Sequence, residues 1–286
     1  MDSELEQQLR EQYNPEGSPK REVQHRLMEV LVEFDRICRA EGLTYFLDYG
    51  TLLGAYRHGG FIPWDDDVDV SMPSADYRRF QQVAPQQLGS RFFLQTEHTD
   101  KAAHMGKGLM KLRLNGTLSI NRASDFHVTY HRGLSIDIFE SVATPAVSRG
   151  FFHWMNRSIG KSFGFFAYPK PLTFGNMIRF FVFPVEYVLL KGVWALAGVI
   201  HKKDREAGTM ERNDTRVPSL TADLYPVGEL EFEGHAFCVP RHVEARLTSI
   251  YGQSFMSLPP EKSRKMHAVF MCADTSREYT NNEVLR

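Results

Sequence analysis

The chain has 286 residues, carries 34 Lys and Arg against 35 Asp and Glu, and is 42% hydrophobic. This is a globular composition, which excludes wholesale disorder, fibrous repeats and a broad cationic grip on nucleic acid. The length allows one large domain or two, and the surplus that stands out is aromatic: 21 Phe, 11 Tyr and 3 Trp.

Residues 1–20 are polar, include Pro15-Glu16-Gly17-Ser18-Pro19, and predict a loose arm. From Arg21, the positions Val23, Leu27, Leu31, Phe34 and Cys38 recur at helical spacing up to Gly42, a residue suited to end a helix. Leu43 to Tyr49 predicts a buried strand, and Asp67 to Ser71 a second one with its acids on one face. Pro73-Ser74 opens a helix through Phe80. Lys111 to Leu114, Asn115-Gly116 and Thr117 to Ile120 predict a hairpin, because Asn-Gly suits a type I′ turn. Gly133 to Phe139 is a further strand, and Glu229 to Pro240 a second hairpin about Glu233-Gly234. Pro240 to Tyr251 is a helix followed by Gly252. This mixture predicts an α+β fold. The cysteines Cys38, Cys238 and Cys272 are far apart, which gives no zinc framework and suits a reducing compartment. The acidic start lacks a basic and apolar leader pattern, so the expected location is the cytoplasm.

The segment richest in chemistry is Trp64-Asp65-Asp66-Asp67-Val68-Asp69-Val70. Four aspartates in five residues repel one another and call for a cation. On a strand, Asp67 and Asp69 share a face with Cα atoms about 6.5 to 7 Å apart, and Asp65 continues the period. Such carboxylates suit a hard ion such as Mg²⁺ or Mn²⁺. A solvated acidic loop is the bland alternative, but Trp64, Val68 and Val70 make the run half-buried, where unpaired carboxylates are costly. A calcium loop fails at Val70, where glycine is required, and at Asp76, where glutamate is usual. Upstream, Gly50-Thr51-Leu52-Leu53-Gly54 follows a predicted strand, and its N–H groups at a helix start suit a phosphate. Arg57 is a candidate phosphate clamp. Asp137, between Ile136 and Ile138, needs a partner: either a shared metal or a cation such as Arg132. Lys111 and Arg113 share one strand face and can neutralise a diphosphate or face solvent.

The run from Tyr45 to Val70, with Gly50-Thr51-Leu52-Leu53-Gly54 and Trp64-Asp65-Asp66-Asp67-Val68-Asp69-Val70 inside it, resembles the signature of the LicD-type phosphotransferases. These belong to the nucleotidyltransferase-fold superfamily and include phosphocholine transferases and fukutin-related proteins. Phe232-Glu233-Gly234, Tyr251-Gly252 and Leu258-Pro259-Pro260 are similar to later family segments, so the likeness covers about residues 21–268. Tyr49, where a small residue is common, and Glu140-Ser141, where a proline-containing continuation is usual, depart from the pattern.

The resemblance implies a nucleotidyltransferase-like mixed sheet flanked by helices, in a single catalytic domain over 21–286. Within it, 21–145 forms the core, 146–215 a helical aromatic-rich insertion and 216–286 the C-terminal completion. It assigns Gly50 and Thr51 to the donor phosphates and Asp67, Asp69 and Asp137 to the metal, with Asp65 a less defined member. Arg57, Lys111 and Arg113 then steady the diphosphate or the CMP leaving group, and Asp137 accepts the proton. The implied reaction moves a phospho-alcohol, foremost phosphocholine, from a CDP-activated donor such as CDP-choline to a hydroxyl of a glycan or lipid-linked glycan. A polyol phosphate such as ribitol phosphate, or plain nucleotidyl transfer, would use the same site. A non-catalytic glycan-binding protein is the alternative of another class.

Much of the aromatic surplus lies between Phe151 and Ile200. Pro184 at a helix start and His201-Lys202-Lys203 at its end predict a helix of about 18 residues, roughly 27 Å long. A buried core helix is the first expectation. The second is peripheral contact of residues 150–203 with the inner face of the cell membrane. A true span is disfavoured by Glu186 and Lys191.

Overall fold

The computed structural model describes residues 3–121, 128–166, 171–212 and 218–276. The amino-terminal segment is not a loose arm. Ser3–Tyr13 forms α1, which buries Leu9 in the main core. Arg10 Nη2 donates to the His58 carbonyl at 3.1 Å, and Glu6 lies 2.6 Å from His58 Nδ1. A helix this short carries too little apolar periodicity to announce itself, and its partner lies some 50 residues away.

Helix α2 (Pro19–Glu41) follows the sequence closely. Ser18 caps it by accepting the Arg21 N–H at 3.2 Å, Pro19 occupies the first turn, and Gly42 closes it at φ 63°. Its stripe from Val23 through Leu27, Leu31 and Phe34 to Cys38 is fully buried.

Strand β1 is only Phe46–Leu47, because the chain enters helix α3 (Tyr49–His58) two residues later. Strand β2 (Asp69–Pro73) starts later than predicted, so Asp65 to Val68 form its entry loop and not strand. Next come α4 (Ser74–Gln87), β3 (Phe92–Gln95), β4 (Leu109–Leu114), β5 (Leu118–Ile120) and β6 (Ser135–Thr144). The main sheet has the order β1-β2-β6-β4-β3, with β2 and β6 parallel and the other pairs antiparallel. The parallel pair places Asp69 beside Asp137, and the β4–β6 pair places Lys111 beside Asp137.

The predicted β4–β5 hairpin does not form. Both edges of β4 are taken by β3 and β6, so after the turn at Gly116 (φ 74°) strand β5 leaves to pair with β11 (Phe270–Cys272). The remaining elements are α5 (Arg149–Gly164), α6 (Phe174–Ile200), β7 (Arg205–Ala207), β8 (Ser219–Leu220), α7 (Thr221–Leu224), β9 (Gly228–Phe232), β10 (His235–Val239) and α8 (Val243–Tyr251). Strands β7 and β8 extend the main sheet from the end of β6. The β9–β10 hairpin turns at Glu233-Gly234, at φ 50° and 78°, in keeping with its sequence.

Helix α6 departs from the expectation of a buried core helix. Pro184 lies inside it, and the helix is 27 residues long, about 40 Å. Only Phe183, Leu190 and Ala197 are buried along it. With α5 it closes a small second core of Phe152, Met155, Ile159, Leu190 and Met210.

Candidate active site

The first turn of α3 begins directly behind β1, and its N-cap is fixed from beneath. The buried Asp48 accepts the Tyr49 N–H at 3.0 Å and the Ser71 hydroxyl at 2.6 Å. Arg246 of α8 grips the same carboxylate with both forks, at 2.9 and 2.6 Å. Tyr49 is held in the left-handed region at φ 47°, a conformation that costs a non-glycine residue about 1 to 2 kcal/mol. Its ring packs edge-on against Phe139 at 5.4 Å and beneath the Arg246 guanidinium at 5.6 Å. Gly50 then passes so close to the acidic loop that a Cβ there would lie 2.8 Å from Asp65 Oδ2. No larger residue fits without moving that carboxylate.

The acidic loop is anchored at both ends. The Asp65 carbonyl accepts from Gln24 of α2 at 3.0 Å, and the Asp69 N–H donates to the Thr51 hydroxyl at 2.8 Å. Asp66 turns away from its neighbours and accepts the backbone N–H groups of His267 and Ala268, at 2.8 and 2.9 Å. This ties the loop to the segment after α8 and delivers His267. Its Nδ1 lies 3.3 Å from Asp67 and 3.6 Å from Asp65. Among the described residues, Asp65, Asp67 and His267 bring one ligand atom each within 4.8 Å of one another.

Burial among like charges governs the electrostatics. Removal from water and the neighbouring Asp67 raise the Asp65 and Asp69 carboxyls well above the usual carboxylate range. Burial raises Asp67 as well, against the pull of His267. The contact with Asp66 and the charges of Asp67 and Asp65 push His267 up to about 9. A concentrated set of oxygen donors, crowded enough to resist ionisation, is chemically suited to a hard divalent cation.

These groups line one cleft of about 480 Å³ between the start of α3, the acidic loop and the segment after α8. Asp65, Asp67 and Asp69 form its polar wall; Tyr49, Trp64, Tyr251 and Phe255 supply aromatic surface. A family model described as the LicD/FKTN/FKRP nucleotidyltransferase domain matches residues 42–198, more than half of the chain. The chain belongs to this LicD family. Over 87 residues it is 39% identical to the lipopolysaccharide cholinephosphotransferase LicD of Haemophilus influenzae, covering 30% of this chain and 33% of that protein. Over 54 residues it is 43% identical to the human ribitol 5-phosphate transferase FKRP, covering 19% and 11% of the two chains. Mannosyltransferase regulator 4 of Saccharomyces cerevisiae is 29% identical over 140 residues, which cover 46% of this chain and 11% of the yeast protein. The matches thus span at most a third of the length of these relatives.

Within this LicD-family site, the structure distributes the sequence candidates unevenly. Gly50, Asp65, Asp67 and Asp69 face the cleft together. Thr51 is buried below it and holds Asp69. Asp137 sits beside Asp69 in register but is ion-paired with Lys111, and neither lines the cleft. Arg57 lines the cleft, yet its Nη1 donates to the carbonyls of Phe255 and Ser257, at 2.9 and 3.3 Å. It shapes the cleft wall. Arg113 is buried further along β4, with Nε on Gln95 at 2.6 Å and Nη1 on the Gly133 carbonyl at 2.5 Å. Burial pushes it down to about 10.

Four contributors carried no site role in the sequence reading: His267, Asp48, Arg246 and Glu233, the last legible only as a turn residue. Glu233, at the β9–β10 turn, accepts the Phe61 N–H at 3.0 Å and pairs with Arg21 at 2.7 Å, so it locks the glycine-rich stretch before the acidic loop.

Proposed function

We propose that the protein transfers a phospho-alcohol from a CDP-activated donor to a glycan hydroxyl, with phosphocholine the foremost group. The observation that carries this reading is the convergence of Asp65, Asp67 and Asp69 on one cleft, beside a glycine turn that leaves no room for a side chain. Family membership supports it, as do the names of relatives that act as cholinephosphotransferase and ribitol 5-phosphate transferase.

Asp65, Asp67 and His267, with Asp69 beside them, are the residues that would hold a divalent cation, Mg²⁺ or Mn²⁺. When bound, such a cation neutralises diphosphate oxygens and the charge that grows on the leaving phosphate. The backbone of Gly50 lets a phosphate approach the first turn of α3, where N–H groups point outward. The acceptor oxygen attacks the β-phosphorus, the bridging P–O bond breaks, and CMP leaves with that electron pair. The hydroxyl proton goes to a carboxylate at the cleft wall. Asp69 fits this role better than Asp137, because Thr51 holds it in place and Lys111 neutralises Asp137. Lys111 and Asp137 set the field behind Asp69, and Arg113 steadies the sheet under them. Arginines cover the Tyr49 and Trp64 rings, so Tyr251 and Phe255 are the cleft aromatics that favour a quaternary ammonium over a polyol, since aromatic faces attract such cations. The protein would act on the cytoplasmic side, where lipid-linked acceptors are assembled.

A donor screen tests the reading. CDP-choline and CDP-ribitol are incubated with Mg²⁺, and CMP release is followed. Release from CDP-choline above CDP-ribitol is expected. Release from neither in the presence of a broad glycan acceptor panel would overturn the transferase reading.

A further inference from the structure

We infer that α6 is a membrane-surface helix, whose outer face lies in the headgroup region of a leaflet rich in anionic lipid while its inner face stays on the protein. The inference does not rest on the transferase reading; it rests on how α6 distributes its side chains.

The buried positions Phe183, Leu190 and Ala197 recur every seventh residue and mark the inner stripe. At 100° per residue, Arg179 and Glu186 fall within about 40° of that stripe, and Lys191 flanks it at about 100°. The opposite face carries no charged or polar side chain along 27 residues. There Phe174 is 80%, Phe181 72%, Val188 66% and Val199 82% exposed. A water-facing helix has its polar residues outside. This one is reversed.

The charge around it identifies the occupant. Residues 146–203 contain eight Lys and Arg against a single acid, Glu186, in a chain whose net charge is −1. Arg157 and Lys161 of α5, Arg179 of α6 and Lys202 just after it are exposed, Lys161 Nζ lying 5.7 Å from the Phe183 ring. An apolar strip on a cationic helical hairpin is drawn to an anionic leaflet. A second copy of the same cationic hairpin would be repelled.

The helix lies along the surface and does not cross. It is long and apolar enough to span. Its middle, however, is fastened to the protein: Tyr187 and Lys191 both donate to the buried Glu211, at 2.7 and 3.0 Å. Crossing would strip this carboxylate of its Tyr187 and Lys191 partners.

The test is co-sedimentation of the full chain with phosphatidylcholine vesicles, with and without phosphatidylglycerol. Pelleting with the anionic vesicles, weakened by salt, is expected. Val188→Glu with Leu196→Glu should reduce partitioning at least about tenfold, and Lys202→Gln about fivefold, with unchanged circular dichroism and melting. Three results would overturn the inference: a chain that stays in the supernatant with both vesicles; a solution dimer that Val188→Glu dissolves; or, in cell membranes, resistance to alkaline carbonate with release only by detergent.

Discussion

Between residues 65 and 69 the chain turns carboxylates inward, and between residues 174 and 200 it turns aromatic and aliphatic side chains outward. Both segments oppose the usual sorting of polar groups to water and apolar groups to the core. The difference lies in what surrounds each. The acids are held by Gln24, Thr51 and the backbone of His267 and Ala268, so their crowding is fixed in geometry. Among the described residues nothing covers the outer face of α6, and the buried positions lie on its inner stripe. A stored electrostatic conflict needs a rigid frame, whereas an exposed apolar strip needs a partner. The first suits a small ion and a phosphate; the second suits an extended apolar surface.

Substitutions can break that contrast in order of size. Asp67→Asn should lower kcat/KM for CDP-alcohol turnover by on the order of 10³. Its melting temperature should not fall, because one of the mutually repelling acids is gone; a large drop in stability would mean the cluster is structural. Arg246→Met should cost about 3 to 5 kcal/mol in urea unfolding, since it leaves Asp48 buried without its cation. A small cost would show that the frame beneath α3 is not rigid.

The neighbours Leu190 and Leu189 sharpen the other side. Leu190→Ala, in the small core under α6, should cost about 2 to 4 kcal/mol. Leu189→Gln, 65% exposed, should change stability by less than about 0.5 kcal/mol in detergent-free buffer. Equal costs would return α6 to the core.

One further effect is pH-dependent. Burial raises the Glu233 carboxyl, but Arg21, the Phe61 N–H and Arg10 outweigh it and hold it below the usual 4.5. A carboxyl lowered on folding stabilises fully above its unfolded pKa, and that contribution fades as pH falls through the folded value. Glu233→Gln should therefore cost about 1 to 3 kcal/mol at pH 7. The gap from wild type should close below pH 4.5, as read by unfolding curves across pH.

Local chemistry made part of this readable from sequence. Ser18, Pro19 and Gly42 bound α2, and Glu233-Gly234 turns the β9–β10 hairpin, because caps and turns are decided by adjacent residues. The Asp-rich run and the Gly50 turn were legible for the same reason. The strand period assumed for Asp65 and Asp67 was not, because the loop that places them is shaped by Gln24 and by residues 267 and 268. His267 stands alone in its segment, without ligand spacing, and Arg246 reaches Asp48 across 198 positions. The β4–β5 turn misled because local turn preference competes with whichever strand takes the edge first. The aromatic stretch gave a helix from its pattern, but exposure depends on which surfaces the rest of the fold leaves over.

The central claim is that the clustered carboxylates of Asp65, Asp67 and Asp69 form a cation site for a diphosphate. Titration calorimetry of Mg²⁺ into the full chain with CDP-choline present, repeated with Asp67→Asn, tests it without requiring turnover. Saturable binding to the wild type, with a rise in melting temperature that the variant loses, is expected. Equal binding by the folded variant, or no binding by either protein, would contradict the account.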